Sequence, residues 1–194
     1  MLEFGDTTVG LFGMGKIGLA VAERMRPFGF TLLAHDPFAE TEKLAELGIQ
    51  LVAPEELWQR SNLVTLHAPA TPETTKLVNA RTIAAMPRGA YVVNTARGAL
   101  VDLDAVVDAL RTGQLSGVGL DVFDPEPLPE AHPIRGLDRA ILTPHAAFYS
   151  ERSMQNLQRL AVEEAERAAQ GDALRCLVNS PEAISGDFSM TKGI

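Results

Sequence analysis

The segment VGLFGMGKIG, residues 9–18, decides the fold that this sequence predicts. It begins with an apolar run typical of a buried parallel strand and ends with Gly13, Gly15 and Gly18 in the spacing G-x-G-x-x-G. Apolar residues at helical spacing then continue as far as Pro27. In a dinucleotide-binding turn the first glycine permits the tight turn, the second admits a pyrophosphate, and the third lets the helix pack on the strand. A functionless glycine loop is the alternative, and the flanking strand and helix argue against it.

The second half of the dinucleotide fingerprint lies farther along the chain. Lys16 and Ile17 lie within the glycine motif and are predicted cofactor contacts, and the helical pattern begins after Gly18. The first N–H groups and the positive dipole end of that helix would face a bound phosphate. Asp36 follows the next predicted strand, residues 30–35, about twenty residues past the glycines. A carboxylate at that position accepts a hydrogen bond from a ribose 2′-hydroxyl and repels a 2′-phosphate. The sequence therefore predicts NAD rather than NADP as the cofactor.

Composition excludes several other classes of protein. The 194 residues are 46% hydrophobic and 22% charged, with a formal net charge of −8, which argues against a nucleic-acid surface. The one cysteine, Cys176, excludes an intrachain disulfide and favours a reducing compartment. No apolar run approaches transmembrane length, and the N-terminus lacks a signal-peptide pattern. We therefore expect a cytoplasmic protein with no membrane partner.

Apolar β-type runs alternate with helical patterns along most of the chain, which predicts right-handed βαβ units. The fold class is thus α/β, a doubly wound parallel sheet of the Rossmann type with about seven strands. The predicted strands cover residues 8–12, 30–35, 49–52, 62–67, 90–94, 118–122 and 140–143. Either Asp102 or Asp104 caps the helix that runs through Leu110. We assign residues 1–179 to one dinucleotide-binding domain and residues 180–194 to a loose tail.

Several polar residues follow predicted strands, at the edge where parallel sheets bind ligands. They are His67 after the fourth strand, Asn94, Thr95 and Arg97 after the fifth, Asp121 and Glu126 at and after the sixth, and His145 after the seventh. Taken singly, these residues are ordinary surface or loop residues as often as catalytic ones. No cluster of histidine, cysteine and carboxylate has metal-ligand spacing, so no metal site is predicted.

Five stretches carry a more specific resemblance: VGLFGMGKIG, LHAPATPETTKLVN, MPRGAYVVNTARGALVD, GLDVFDPEPLP and TPHAAFYSE. In order and spacing they resemble the NAD-binding domain of the D-isomer-specific 2-hydroxyacid dehydrogenases. The last stretch, with the long helix after it (residues 151–170), looks closest to the branch that contains the C-terminal-binding-protein corepressors.

The resemblance implies a catalytic set and further cofactor contacts. Arg97 would hold the substrate carboxylate and polarise its 2-oxo group, His145 would act as general acid–base, and Glu126 would orient the imidazole. Asp121 would bind the nicotinamide carboxamide. Further cofactor contacts would come from Thr95, Ala96, Arg97 and His145, and from His67 through its backbone.

The sequence also departs from the family that it resembles. The glycine motif begins near residue 10, so we expect the N-terminal substrate lobe of the family to be absent. The leading hypothesis is an NAD-dependent oxidoreductase domain that transfers hydride between NAD(H) and a small D-2-hydroxy acid/2-oxo acid pair. One alternative is an NAD(H)-responsive binding module of the corepressor type with little turnover. Another is a half-enzyme that needs a separate substrate lobe. By resemblance we expect a homodimer.

Overall fold

Seven parallel strands form one sheet in the order β3-β2-β1-β4-β5-β6-β7 in a computed structural model that describes residues 3–175. The predicted α/β fold is therefore confirmed. The strands are β1 (Thr8–Phe12), β2 (Thr31–His35), β3 (Ile49–Leu51), β4 (Leu63–Leu66), β5 (Ala90–Asn94), β6 (Leu115–Leu120) and β7 (Ala140–Leu142). The helices are α1 (Lys16–Met25), α2 (Thr41–Glu46), α3 (Pro54–Arg60), α4 (Ala80–Ala85), α5 (Leu103–Thr112) and α6 (Glu151–Gln170).

The chain divides into two structural units, Met1–Ala147 and Phe148–Ile194, and the whole sheet belongs to the first. The predicted domain boundary at residue 179 and the predicted tail lie outside the described residues.

The order of the strands explains where a ligand site forms. From β1 the chain moves outward to β3, and from β3 it returns past β1 to β4 and moves outward in the other direction. Right-handed crossovers therefore place α1 and α2 on one face of the sheet and α3, α4 and α5 on the other. The reversal between β1 and β4 is the switch point at which such sheets bind ligands, beyond the carboxyl ends of the strands.

Two apolar clusters match the two faces of the sheet. Val9, Leu11, Ala22, Leu32 and Leu44 belong to the cluster that α1 and α2 cover. The larger cluster joins the other three helices to the sheet and includes Leu57, Val64, Ile83, Val92, Val106 and Leu110. The continuous apolar character of the strands follows from burial on both sides.

The predicted bounds of β6 are wrong: the predicted strand begins three residues too late and ends two residues too late. The prediction was residues 118–122, and the strand runs from Leu115 to Leu120. Gly117, which precedes the predicted strand, pairs in register with Tyr91 of β5. The strand ends before Asp121, whose side chain accepts hydrogen bonds from the loop after β7. Each end of the other strands agrees with the prediction or departs from it by one residue.

The second unit contains α6, whose bounds agree with the prediction. Ser150 and Ser153 form a reciprocal capping box at its start, and Gly171 ends it in the left-handed conformation. No helix of residues 3–175 combines the length and the hydropathy that a membrane crossing requires.

Candidate active site

The glycine turn after β1 has the close packing that its motif predicts. Gly13 adopts a φ of 95°, which favours glycine, and a β-carbon there would lie 2.7 Å from the Ala68 nitrogen. A β-carbon on Gly18 would lie 2.2 Å from the Gly13 oxygen. The two glycines therefore allow α1 to start directly against the strand, as sequence reasoning predicted.

The N-terminus of α1 fits a pyrophosphate. Gly15 is the N-cap residue, and a β-carbon on it would meet nothing within 4 Å, so the space in front of the helix is open. Lys16 and Ile17 are exposed in the first turn, and no acidic residue lies there. The unsatisfied N–H groups of a ten-residue helix and its dipole favour an anion at this place.

Asp36 lies at the end of β2 and connects the two halves of the fingerprint. Its Oδ2 accepts a hydrogen bond from the Met14 amide at 2.7 Å, and its Oδ1 accepts one from the Phe38 amide at 2.8 Å. These bonds orient the carboxylate beside the glycine turn. A carboxylate has about four acceptor sites, so this group retains the capacity to accept a ribose hydroxyl.

A cavity of about 430 Å³ joins residues from three strand ends. It is lined by Ile17, His67, Ala68, Pro69, Ala70, Thr95, Ala96 and Arg97. The His67 amide donates to the Phe12 oxygen at 2.7 Å, and its ring Nε2 lies 3.2 Å from the Thr65 hydroxyl. Burial lowers the pKa of His67 to about 4, so this imidazole is neutral near pH 7. The neutral ring therefore adds no positive charge to this cavity.

Arg97 stands on a loop that Asn94 organises. The fully buried Asn94 amide donates to the Arg97 carbonyl at 2.8 Å and accepts from the Ala96 amide at 3.0 Å. The Arg97 guanidinium is exposed and donates to the Ala96 carbonyl at 2.6 Å. A β-carbon on Gly98 would lie 2.0 Å from the Phe123 carbonyl carbon. The Arg97 loop therefore lies directly against the loop that follows β6.

Glu126 and His145 form an ion pair at the ends of the two neighbouring strands. His145 Nδ1 lies 3.0 Å from Glu126 Oε2, and the Phe123 amide donates to Oε1 at 2.7 Å. The hydrogen bonds from His145 and Phe123 hold the pKa of Glu126 below its usual value. Because an ionised carboxylate only accepts hydrogen bonds, Nδ1 carries the proton of this bond. The pair borders a cavity of about 550 Å³ that Phe123, Leu128, Arg135 and Leu142 also line.

Asp121 is buried at the end of β6, with 3% of its surface exposed. Its carboxylate accepts hydrogen bonds from the Thr143 hydroxyl at 2.5 Å and from the Ala146 and Ala147 amides at 2.8 and 2.9 Å. Its predicted contact with the nicotinamide stays a prediction. The observed partners all belong to the loop that carries His145.

The structure thus places every predicted site residue at the carboxyl edge of the sheet. The cavity of about 430 Å³ collects Ile17, His67, Thr95, Ala96 and Arg97, whereas Glu126 and His145 line the cavity of about 550 Å³. Arg97 and His145 line different cavities, and the contact at Gly98 joins the Arg97 loop to the loop that carries Glu126, the partner of His145. Within residues 3–175 no group of histidine, cysteine and carboxylate side chains is arranged to hold a metal ion.

Sequence reasoning placed Asn94 at the ligand-binding edge but did not predict that it holds the Arg97 loop. It missed Thr143 and the amides of Met14 and Phe123, which also hold the site in place. The Thr143 hydroxyl and the amides carried no signal in the sequence, because their partners lie 3 to 22 residues away in sequence.

Comparison with known proteins agrees with this geometry. Residues 1–147 match the family described as D-isomer specific 2-hydroxyacid dehydrogenase, NAD binding domain. A D-3-phosphoglycerate dehydrogenase of Synechocystis sp. is 39% identical over 179 residues, which cover 92% of this chain and 32% of that protein. A glyoxylate reductase of Korarchaeum cryptofilum is 38% identical over 172 residues, which cover 89% of this chain and 52% of that protein.

A solved structure shows the same fold. The crystal structure of D-lactate dehydrogenase from Aquifex aeolicus, complexed with NAD and lactic acid, matches with a TM-score of 0.80 at 34% identity. The match covers 88% of this chain and 56% of that chain. This chain therefore spans a third to about half the length of the relatives it matches. Because the family profile covers more than half of its residues, the chain belongs to the D-isomer specific 2-hydroxyacid dehydrogenase family and contains the NAD-binding domain of that family.

Proposed function

We propose that this protein is the catalytic NAD domain of a D-2-hydroxyacid dehydrogenase, which transfers hydride between NAD(H) and a small 2-oxo acid. The observation that carries the proposal is the Glu126–His145 ion pair, at 3.0 Å, on the sheet edge that also carries Arg97 and the glycine turn. A proton donor, an anion-binding cation and a dinucleotide cradle are the three parts that reduction of a 2-oxo acid requires.

The bound cofactor supplies or receives the hydride, and the side chains of this chain do the rest. Gly15, Lys16 and Ile17 would face the pyrophosphate, and Asp36 would accept a ribose hydroxyl. The walls formed by His67, Thr95 and Ala96 would enclose the rest of the cofactor.

The proton and the substrate are handled by three residues. The Arg97 guanidinium would hold the substrate carboxylate with two parallel hydrogen bonds and polarise the 2-oxo group. His145 would give a proton to the carbonyl oxygen as the hydride arrives, and would take it back in the reverse reaction. Since Nδ1 donates to Glu126, proton exchange falls to Nε2. The Glu126 carboxylate stabilises the imidazolium that reduction consumes.

The substrate class and the assembly rest on the relatives. Those relatives are named for 3-phosphoglycerate and glyoxylate, and one was crystallised with lactic acid, so a small 2-oxo acid is the proposed substrate. Because this chain spans only part of their length, we propose that a substrate lobe, or a second copy of the chain in a homodimer, completes the cleft. The cytoplasmic location stays a prediction from the sequence.

Oxidation of NADH by the purified chain with a panel of small 2-oxo acids tests the proposal. Replacing His145 with Ala should lower kcat by about 10²- to 10⁴-fold, since that is the usual contribution of general acid–base catalysis. The affinity for NADH, measured by fluorescence, should stay nearly unchanged. His132→Ala is a matched control, because His132 caps a short helical turn and lines neither of the two cavities.

The other outcomes separate the alternatives. A fall in both activity and NADH affinity in His145→Ala, or in neither, would refute the assigned role of His145. NADH binding that changes the oligomeric mass without turnover would favour the binding module of corepressor type. Turnover that appears only when a substrate lobe is added in trans would identify the chain as half of an enzyme.

A further inference from the structure

We propose that Asp121 is the positioning residue of the site, and that it holds the loop of residues 143–147 so that the His145 imidazole meets Glu126. The inference rests on the proposed function, because it assigns a role in the same proton transfer. It differs from the nicotinamide contact that family resemblance implies for Asp121, and the two roles predict different measurements.

The hydrogen bonds of Asp121 converge on that loop. The backbone carbonyl of Asp121 accepts from the His145 amide at 2.7 Å. Its carboxylate accepts from the amides of Ala146 and Ala147 and from the Thr143 hydroxyl. Three consecutive amides and one hydroxyl therefore point at one residue on the rigid end of β6.

The charge on Asp121 is maintained by these bonds. Burial alone would raise the pKa of Asp121, but the Thr143 hydroxyl and the Ala147 and Ala146 amides outweigh burial and hold that pKa below its usual value. A buried carboxylate with three short donors is a strong anchor, since charge-assisted hydrogen bonds exceed neutral ones in strength.

The hydrogen bonds to Asp121 act on the backbone conformation of His145. Its φ is 54°, a left-handed conformation that non-glycine residues adopt only when surrounding bonds enforce it. The amides on both sides of that strained unit, His145 N and Ala146 N, both end on Asp121. The conformation that directs the imidazole toward Glu126 is thus set by Asp121.

The partner of the imidazole is built from the same segment of chain. Two residues past Asp121, the Phe123 amide donates to Glu126 Oε1 and leaves Oε2 for His145. Both members of the ion pair, His145 and Glu126, whose paired atoms lie 3.0 Å apart, are therefore positioned by residues at the end of β6. A change at Asp121 should alter the geometry of the pair even where the protein stays folded.

The test is a double-mutant cycle on the full 194-residue chain, with the His145 imidazole observed by NMR. His145→Ala assigns the signal among the four histidines. Replacing Glu126 with Gln changes the chemical shift of the ring Nδ1, because an amide replaces the carboxylate that this nitrogen faces. In the Asp121→Asn background the same Glu126→Gln change should have little effect, since the ring no longer meets residue 126.

The Glu126→Gln shift is measured once in the parent and once in the Asp121→Asn background. The direct effect of removing the charge on Asp121 cancels, because only the difference between these two shifts is interpreted. The charged groups around the ring are Glu126 and Asp121, with Arg135 lining the same cavity. Equal shifts in the two backgrounds would overturn the proposal. This readout requires no turnover, so it stands whether or not the chain proves to be a dehydrogenase.

Activity supplies the second arm of the test. In Asp121→Asn, kcat should fall about 10- to 100-fold, as for a catalytic group misplaced by about 1 Å, while the NADH dissociation constant stays within about threefold of the parent. A rise in the NADH dissociation constant that accounts for the whole loss would instead assign Asp121 to the nicotinamide and overturn the proposal.

Thr143 provides a milder variant if Asp121→Asn fails to fold. Thr143→Val removes one bond to the Asp121 carboxylate and keeps the side-chain shape, whereas Thr143→Ser keeps the hydroxyl. The valine variant should show a reduced Glu126→Gln shift and a reduced kcat, and the serine variant should restore both. Equal behaviour of the two variants would count against the anchor.

Discussion

At the scale of one residue, the Glu126 carboxylate determines which ring nitrogen of His145 carries a proton. The carboxylate receives the Phe123 amide on one oxygen and the His145 ring on the other, and these donors hold the pKa of Glu126 below its usual value. The group is therefore ionised across the neutral range, and the imidazole tautomer follows from it.

Replacing Glu126 with Gln should lower kcat/KM for 2-oxo acid reduction above the lowered pKa of Glu126, because the amide carries no charge to stabilise the imidazolium. The difference from the parent should shrink as the pH falls through that value. In the parent, the contribution of Glu126 is present above its lowered pKa and is lost only as the pH falls through that value. Profiles of kcat/KM against pH for both proteins measure the difference.

Glu130→Gln, a change at another glutamate in the loop after β6, is the control for that profile. A profile unchanged by Glu126→Gln would show that the observed ion pair has no part in the proton transfer.

Helix α5 shows at the scale of an element how a cap is chosen. Sequence reasoning left Asp102 and Asp104 as alternatives, and the structure selects Asp102, whose Oδ1 accepts from the Ala105 amide. Its Oδ2 also accepts from the Lys76 ammonium at 3.1 Å. Asp104 lies in the first turn, where its negative charge interacts favourably with the helix dipole.

Asp102→Ala should lower the free energy of unfolding by about 1 kcal/mol, the usual cost of a lost N-cap. Asp104→Ala, the matched control, should lower it by less than half as much. Urea unfolding at pH 7 measures both. Burial raises the pKa of Asp102, but the bonds from Lys76 and Ala105 lower it overall, so the difference between parent and Asp102→Ala should shrink as the pH falls through that lowered value. Equal losses in the two variants would contradict the assignment of the cap.

Most elements follow from local pattern, and the exceptions have a common cause. Strand β5 and helix α6 have the predicted bounds because alternation, capping residues and glycines act within a few positions. Strand β6 does not, because its end depends on Asp121 contacting residues 22 to 26 positions later. Pairing with β5 also carries β6 through Gly117, which local propensity disfavours.

For the whole molecule, the sequence predicts the sheet and the glycine turn from local patterns, and the pairing of Glu126 with His145 from the family resemblance. It does not predict the second layer of polar contacts around them. The Asn94 side chain donates a hydrogen bond to the Arg97 carbonyl, and Gly98 allows that loop to pack against Phe123. The contact of Gly98 with Phe123 arises only when parallel strands bring their ends to one edge, and no spacing along the chain predicts it.

The reverse reaction tests most directly our proposal that this domain carries the reaction of a D-2-hydroxyacid dehydrogenase. Formation of NADH from NAD⁺ is followed with the two enantiomers of lactate and of glycerate, in the presence of a substrate lobe if the chain alone is inactive. We expect NADH formation with the D enantiomer, little with the L enantiomer, and loss in His145→Ala. Equal rates with both enantiomers, or activity that survives His145→Ala, would contradict it.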